Sequence, residues 1–228
     1  MTMAWESELE DRAREAVEFL QERIANQPKA CVTSSFQAED MVVVHMARAI
    51  NPCIPVLFLE TGYHFAETIE YRDRLSVQWN LNLVVVEPQQ TVAQQEAEFG
   101  ILNQTAPDRC CALRKVGPLF NALAPYEVWV TGLRRQQSKS RANLQVEESF
   151  TLSTGQILNK LSPLAEWTTR DVWHFAKEHE IPLLSLYDKG YTSIGCEPCT
   201  SLPFDPSDPR SGRWSGRKLE CGIHLQAT

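Results

Sequence analysis

The chain has 228 residues, 43% hydrophobic and 22% charged, enough for one sizeable core. Its formal net charge of −7 argues against a broad nucleic-acid surface, which needs a basic face, and no run of roughly eighteen apolar residues offers a membrane span. The acidic start, with Glu6, Glu8, Glu10, Asp11 and Glu15, lacks the basic and apolar stretches of a signal peptide, so the seven cysteines are expected in a reducing, cytoplasmic setting.

From residue 4 to 25, Leu9, Ala13, Ala16, Val17, Leu20 and Ile24 recur at a helical period. Residues 31–35 read as a short strand entering a turn, 38–50 as a buried helix and 55–59 as a second strand. A helix over 64–75, a strand over 81–86 and a polar helix over 91–99 follow. The alternation continues with a helix over 112–123 and a fourth strand over 128–130. The pattern then turns strand-like from 147 to 161 around Thr154-Gly155, a hairpin expected at the sheet edge. Thr168 or Thr169 can cap a further helix holding Val172, Trp173 and Phe175. Strands alternating with helices predict an α/β fold with a parallel, doubly wound sheet. A single domain is expected over 1–200. Beyond it, Pro203, Pro206, Pro209, Gly212 and Gly216 predict a loosely held tail over 201–228.

Four cysteines form two tight pairs, Cys110-Cys111 and Cys196-Glu197-Pro198-Cys199. Adjacent side chains on a helix diverge by about 100°. The first pair therefore reaches one small ion only with strain, whereas an iron–sulfur cluster several ångströms across can take the two thiolates at separate irons. A structural zinc site and four unrelated buried thiols are the competing readings. Cys31 and Cys53 are read as core residues. Cys221 stands apart, after Arg213, Arg217 and Lys218 and before His224. Nearby positive charge favours the thiolate, although Glu220 opposes it. A lone thiol on a basic tail has the form of a nucleophile.

Three turns follow predicted strands: residues 34–40 (Ser34, Ser35, Phe36, Gln37, Ala38, Glu39, Asp40), 61–64 (Thr61, Gly62, Tyr63, His64) and 131–135 (Thr131, Gly132, Leu133, Arg134, Arg135). In an open α/β sheet, ligands bind at the carboxyl ends of strands, where helix N-termini offer free N–H groups. Arg114 and Lys115 lie beside the cysteine pair, Arg134, Arg135, Lys139 and Arg141 after the fourth strand, and Arg210 and Arg213 on the tail. Arginine suits bidentate recognition of phosphate or sulfate, and the acidic background makes this local excess informative.

The Cys-Cys-Ala-Leu-Arg-Lys-Val-Gly-Pro-Leu run at 110–119 resembles a signature of assimilatory adenylyl-sulfate (APS) reductases. The 191–200 segment resembles their second cluster motif. Arg210-Ser211-Gly212-Arg213-Trp214 and Glu220-Cys221-Gly222-Ile223-His224 resemble the tail they share with phosphoadenylyl-sulfate (PAPS) reductases, and 34–40 with 59–62 resembles the modified PP-loop and following strand of that superfamily. Glu60 and Ala66 stand where members often carry Asp and Pro, outside the implied chemistry. The resemblance implies an adenine-nucleotide α-hydrolase-like fold, with a parallel sheet flanked by helices. It implies a 4Fe-4S cluster on Cys110, Cys111, Cys196 and Cys199. It implies reduction of APS to sulfite and AMP, with Cys221 as nucleophile and thioredoxin or glutaredoxin as reductant, and is compatible with a homo-oligomer. Ser34, Ser35, Thr61, Gly62 and Gly132 would line the nucleotide. Lys115, Arg141, Arg210, Arg213 and His224 would contact the phosphosulfate. The alternatives are a PAPS or dual-specific reductase, an ATP-using PP-loop adenylating enzyme and a non-catalytic cluster or zinc sensor. Net charge and the missing loop glycines disfavour the adenylating enzyme, and the Cys221 motif disfavours the sensor.

Overall fold

The computed structural model describes residues 2–216, 218 and 220–224. Arg217, residue 219 and residues 225–228 of the predicted tail lie outside the described residues.

Six strands form one sheet in the order β3-β2-β1-β4-β6-β5. They are β1 (Ala30–Thr33), β2 (Pro55–Leu59), β3 (Asn82–Val86), β4 (Val128–Val130), β5 (Glu147–Thr151) and β6 (Ile157–Leu161). All pairings are parallel except β5 with β6, the hairpin expected at the edge. The helices are α1 (Thr2–Ile24), α2 (Ala38–Ile50), α3 (Ala66–Gln78), α4 (Val92–Phe99), α5 (Leu102–Thr105), α6 (Pro107–Cys111), α7 (Gly117–Leu123) and α8 (Thr169–Glu178).

Alternation along the central strands splits the core in two. Ala30, Val32, Val56, Phe58, Val128 and Val130 face a layer built with α1, α2 and α8. Cys31, Leu57 and Trp129 face the opposite layer, with Leu119, Phe120 and Leu123 of α7. The central strands are thus buried on both faces, which is why they read as apolar runs.

Several boundaries differ from expectation. Helix α3 starts at Ala66, not residue 64, because His64 Nε2 is held 2.8 Å from the Leu59 carbonyl oxygen. The helix expected over 112–123 opens as a π-helical turn, Ala112–Val116. Pro118 has no N–H to offer the preceding turn, and the Gly117 N–H instead reaches the Ala112 carbonyl, five residues back. Cys31 is core, but Cys53 is exposed: it sits in the turn after α2, where its N–H donates to Asn51 Oδ1 at 3.1 Å. The tail has no long element, as its prolines and glycines require, yet its described part is anchored. Ser211, Arg213 and Trp214 are buried, and the Ser201 N–H donates to the Gly212 carbonyl at 2.9 Å.

Helix α8 locks α1 in place. The fully buried Asp171 carboxylate accepts from the Thr168 N–H (2.8 Å), Trp5 Nε1 (3.1 Å) and Arg12 Nη2 (3.0 Å). Asp171→Ala removes one half of the helix cap and leaves a guanidinium without its anion. A loss of about 2–3 kcal/mol is expected in urea unfolding, against less than about 0.5 kcal/mol for Val77→Ala on the exposed face of α3. Equal effects would overturn this role.

Candidate active site

The sheet order reverses at β1, which has β2 on one side and β4 on the other. The chain therefore leaves β1 and β4 in opposite directions and opens a crevice beyond their carboxyl ends. Leaving β1, the Ser35 N–H and Oγ both donate to Asp40 Oδ2 at 2.6 Å, and the Phe36 N–H donates to Ser34 Oγ at 3.1 Å. Phe36 adopts a left-handed backbone (φ 59°), a strained state for a side chain of this size. Its buried ring is fixed edge-on against Phe58 and Tyr71. Across the crevice, Gly132 lies so close to α2 that a Cβ would strike the Asp40 carboxylate and come within 2.9 Å of its backbone nitrogen. Only glycine permits this approach of the two loops.

The crevice is a cavity of about 470 Å³. Ser34, Ser35, Thr61, Lys115, Gly132, Arg141, Arg210, Arg213, Cys221 and His224 all line it. Gly62 is not among the lining residues; its φ of 72° turns the loop after β2 past Val92 and Arg114. The basic residues separate by role. Arg134 is buried and spent on structure, pairing with Glu39 at 2.6 Å and donating to the Trp167 carbonyl at 3.2 Å. Arg135 pairs with Glu166 at 2.8 Å. Arg213 packs over Trp214, donates to the Ile194 carbonyl at 3.0 Å and keeps a buried Nε without a partner among the described residues.

His224 stacks on Trp129, with centroids 5.4 Å apart and planes 20° apart. Burial, then Lys160, Arg141 and Arg210, hold its pKa well below the ordinary histidine value. It is a neutral imidazole at neutral pH, and its buried Nδ1 has no hydrogen-bond partner among the described residues.

Cys110, Cys111, Cys196 and Cys199 line a small pocket next to the cavity, and Lys115 and Cys196 line both. Burial and the other three thiols push Cys110 up to about 11. Burial would raise Cys196 too, but Lys115, the Thr61 hydroxyl (3.3 Å) and Arg213 bring it below the ordinary thiol value. Lys115 is raised in turn: burial pulls it down, and Cys196, Cys221 and Cys111 outweigh the burial. Gln95 Nε2 lies beside Cys110, while Gln95 Oε1 accepts from Arg114 Nη1 at 3.2 Å; Asn103 Oδ1, at the pocket wall, is buried without a partner among the described residues. Among the described residues, no three His, Cys, Asp or Glu side chains surround one ion-sized point.

In the sequence, Asp40 and Glu39 belong to the turn after β1 and carry no evident role. Their signal was an acidic first turn where an anion-binding helix end should be free, which makes sense only with Arg134 and Ser35 as their partners. Trp129, buried in mid-strand, carried no signal of its role beneath His224.

A sheet with this order, a loop–helix turn after β1 and a cavity at the strand ends defines the adenine-nucleotide α-hydrolase-like class of α/β proteins. Residues 29–202 match the phosphoadenosine phosphosulfate reductase domain, and the chain belongs to that family. It is 47% identical over 196 residues to the adenosine 5'-phosphosulfate reductase of Streptomyces coelicolor, covering 85% of this chain and 81% of that protein. It is 43% identical over 201 residues to the phosphoadenosine 5'-phosphosulfate reductase of Gloeobacter violaceus, covering 86% and 82%. A phosphoadenylyl-sulfate reductase from Candida auris, crystallised as a phosphate complex, shares the fold with a TM-score of 0.68 at 24% identity, over 80% of this chain and 88% of that one. No helix among the described residues is long and apolar enough to cross a membrane.

Asp40 gives the site a pH signature. Burial raises its carboxyl from 3.8 to about 6, against the hydrogen bonds from Ser35. The folded chain then holds this proton more tightly than the unfolded chain. Its stabilising effect is complete below about pH 4 and is lost as pH rises through about 6. Relative to Asp40→Asn, wild-type stability is expected to fall by about 1–3 kcal/mol between those limits, read from urea unfolding at each pH. Parallel curves would exclude it.

Proposed function

We propose that this chain reduces adenosine 5'-phosphosulfate to sulfite and AMP in sulfate assimilation, in the cytoplasm, with a dithiol reductant of the thioredoxin or glutaredoxin kind. The observation that carries this reading is the meeting of Cys221 with Arg141, Arg210 and Arg213 in one cavity, beside the neutral His224, where a thiol needs cations around it to attack an anion. Ser34, Ser35, Thr61 and Gly132 would receive the nucleotide, with Gly62 shaping the turn.

The Cys221 thiolate attacks the sulfate sulfur. The sulfur–oxygen bond to the phosphate breaks, and AMP leaves with the electron pair. Lys115 and the arginines neutralise charge on the departing phosphate. A reductant thiolate then attacks Cys221 Sγ, and sulfite departs with the electrons of the sulfur–sulfur bond. The reductant's second thiol resolves the mixed disulfide and restores Cys221. The dithiol thus supplies both electrons.

Cys110, Cys111, Cys196 and Cys199 would hold a 4Fe-4S cluster, which supplies, when bound, a charged body beside Lys115. The thiol set and the Gln95 side-chain N–H beside Cys110, a donor suited to cluster sulfur, fit such a group. Cys196→Ser is expected to lose most bound iron and the visible absorbance of the purified protein. Full iron retention would remove these ligands from the reading.

Cys221→Ser is expected to abolish sulfite formation while keeping AMP affinity and iron. Intact mass of wild type mixed with APS alone should rise by one sulfonate on Cys221, and reduced thioredoxin should remove it. Turnover by the serine variant would sink the nucleophile. Lys115→Ala is expected to lower kcat on the order of 100-fold with iron largely kept; unchanged kcat would dismiss its role. The relative from Gloeobacter violaceus favours one second reading, PAPS as substrate, which a kcat/KM comparison of the two nucleotides decides.

A further inference from the structure

The residue before the nucleophile occupies the anion site itself. Glu220 accepts from Arg141 Nε at 3.0 Å and from Nη2 at 2.7 Å, a two-pronged carboxylate–guanidinium pair. Ser138 Oγ and Ser140 Oγ donate to the same carboxylate at 3.0 and 2.9 Å. Arg210 Nη2 lies 3.7 Å away. The third donor group of Arg141, Nη1, is engaged by Gln137. Glu220 is only 11% exposed at its side chain, and although burial opposes its charge, Arg141, Arg210 and Ser140 hold its carboxyl below the usual range. It is a carboxylate at neutral pH.

The fork of Arg141 is therefore already filled, whereas Arg213 Nε and His224 Nδ1 are buried without partners among the described residues. Half of the anion site is occupied from within and half is open. We propose that Glu220 is a built-in competitor for the substrate's phosphosulfate: the substrate gains Arg141 and the two serine hydroxyls only by displacing this carboxylate. The proposal rests on the reading of the cavity as an APS site. Apparent affinity is then reduced by the fraction of time that Glu220 holds the fork. Glu220 acts on substrate affinity through Arg141, so it is an affinity-setting residue and not a catalytic one.

Glu220→Gln keeps the size of the side chain and one acceptor oxygen, and removes its charge and the second acceptor that completes the fork with Arg141. The test is calorimetric binding to Cys221→Ser protein, which cannot turn over, with and without Glu220→Gln at fixed salt. APS is expected to bind roughly tenfold more tightly to the double variant, inorganic sulfate also more tightly, and adenosine, which has no anion, equally to both. A purely structural role for Glu220 would instead weaken adenosine along with APS. APS affinity unchanged or weaker, with adenosine still bound, overturns the proposal. If APS binds neither protein while adenosine binds both, the substrate reading has failed, and the sulfate comparison alone then decides for or against Glu220. If Glu220→Gln does not fold, Glu220→Asp decides: its shorter carboxylate loosens the fork, so tighter APS supports the competition and unchanged affinity rejects it.

Discussion

A lysine ammonium partly withdrawn from water is tolerated only where anions surround it. Lys115 lies at the boundary between the large cavity and the cysteine pocket, and Cys196, Cys111 and Cys221 are the groups that balance it. The thiols depend on it in return: Cys196 is brought below its ordinary value, against strong burial, chiefly by Lys115. Much of the surrounding structure serves this arrangement. The π-helical turn Ala112–Val116 places Arg114 and Lys115 at the pocket wall. Arg114 reaches the Thr61 and Gln90 carbonyls, fixing the cysteine-bearing segment to the loop after β2. One cation thereby links the proposed cluster thiols to the proposed nucleophile.

The tail is part of the same construction. Arg213 passes so close to Gly195 that a Cβ there would run into its guanidinium. The tail is thus keyed to the Cys196–Cys199 loop by an absence of side chain, and the Thr200–Arg213 bridge pins the two strands of chain together. Cysteine pocket, large cavity and tail share walls, so each depends on the others being in place.

Much of the fold was legible because it rests on periodicity. Apolar runs at 55–59 and 128–130 mark strands buried on both faces, and the Thr154-Gly155 turn marks the antiparallel edge. The three loops at the strand ends were legible as well, since their position follows from the alternation of elements. What remained hidden depended on distance in space. Pro118 announces trouble for a helix but does not say that a wider turn will absorb it. Glu39 and Arg134 are 95 positions apart, and Glu220 and Arg141 are 79 apart. No local pattern reveals that an acid next to Cys221 will fill the arginine fork. Cys53 shows the opposite error: its apolar neighbours suggested burial, and a two-residue turn put it outside.

Trp129 belongs to the core and to the site at once. One face of its indole carries His224, Lys160 lies 5.5 Å from the ring centroid, and Phe150 meets it edge-on at 5.1 Å. The hydrophobic layer formed with α7 therefore supports, through Trp129, a side chain that lines the cavity. Repacking that layer shifts the surface on which His224 rests, so mutational tolerance here is governed by chemistry as much as by volume. In this protein the core under β4 cannot drift independently of His224 and the cavity that His224 lines.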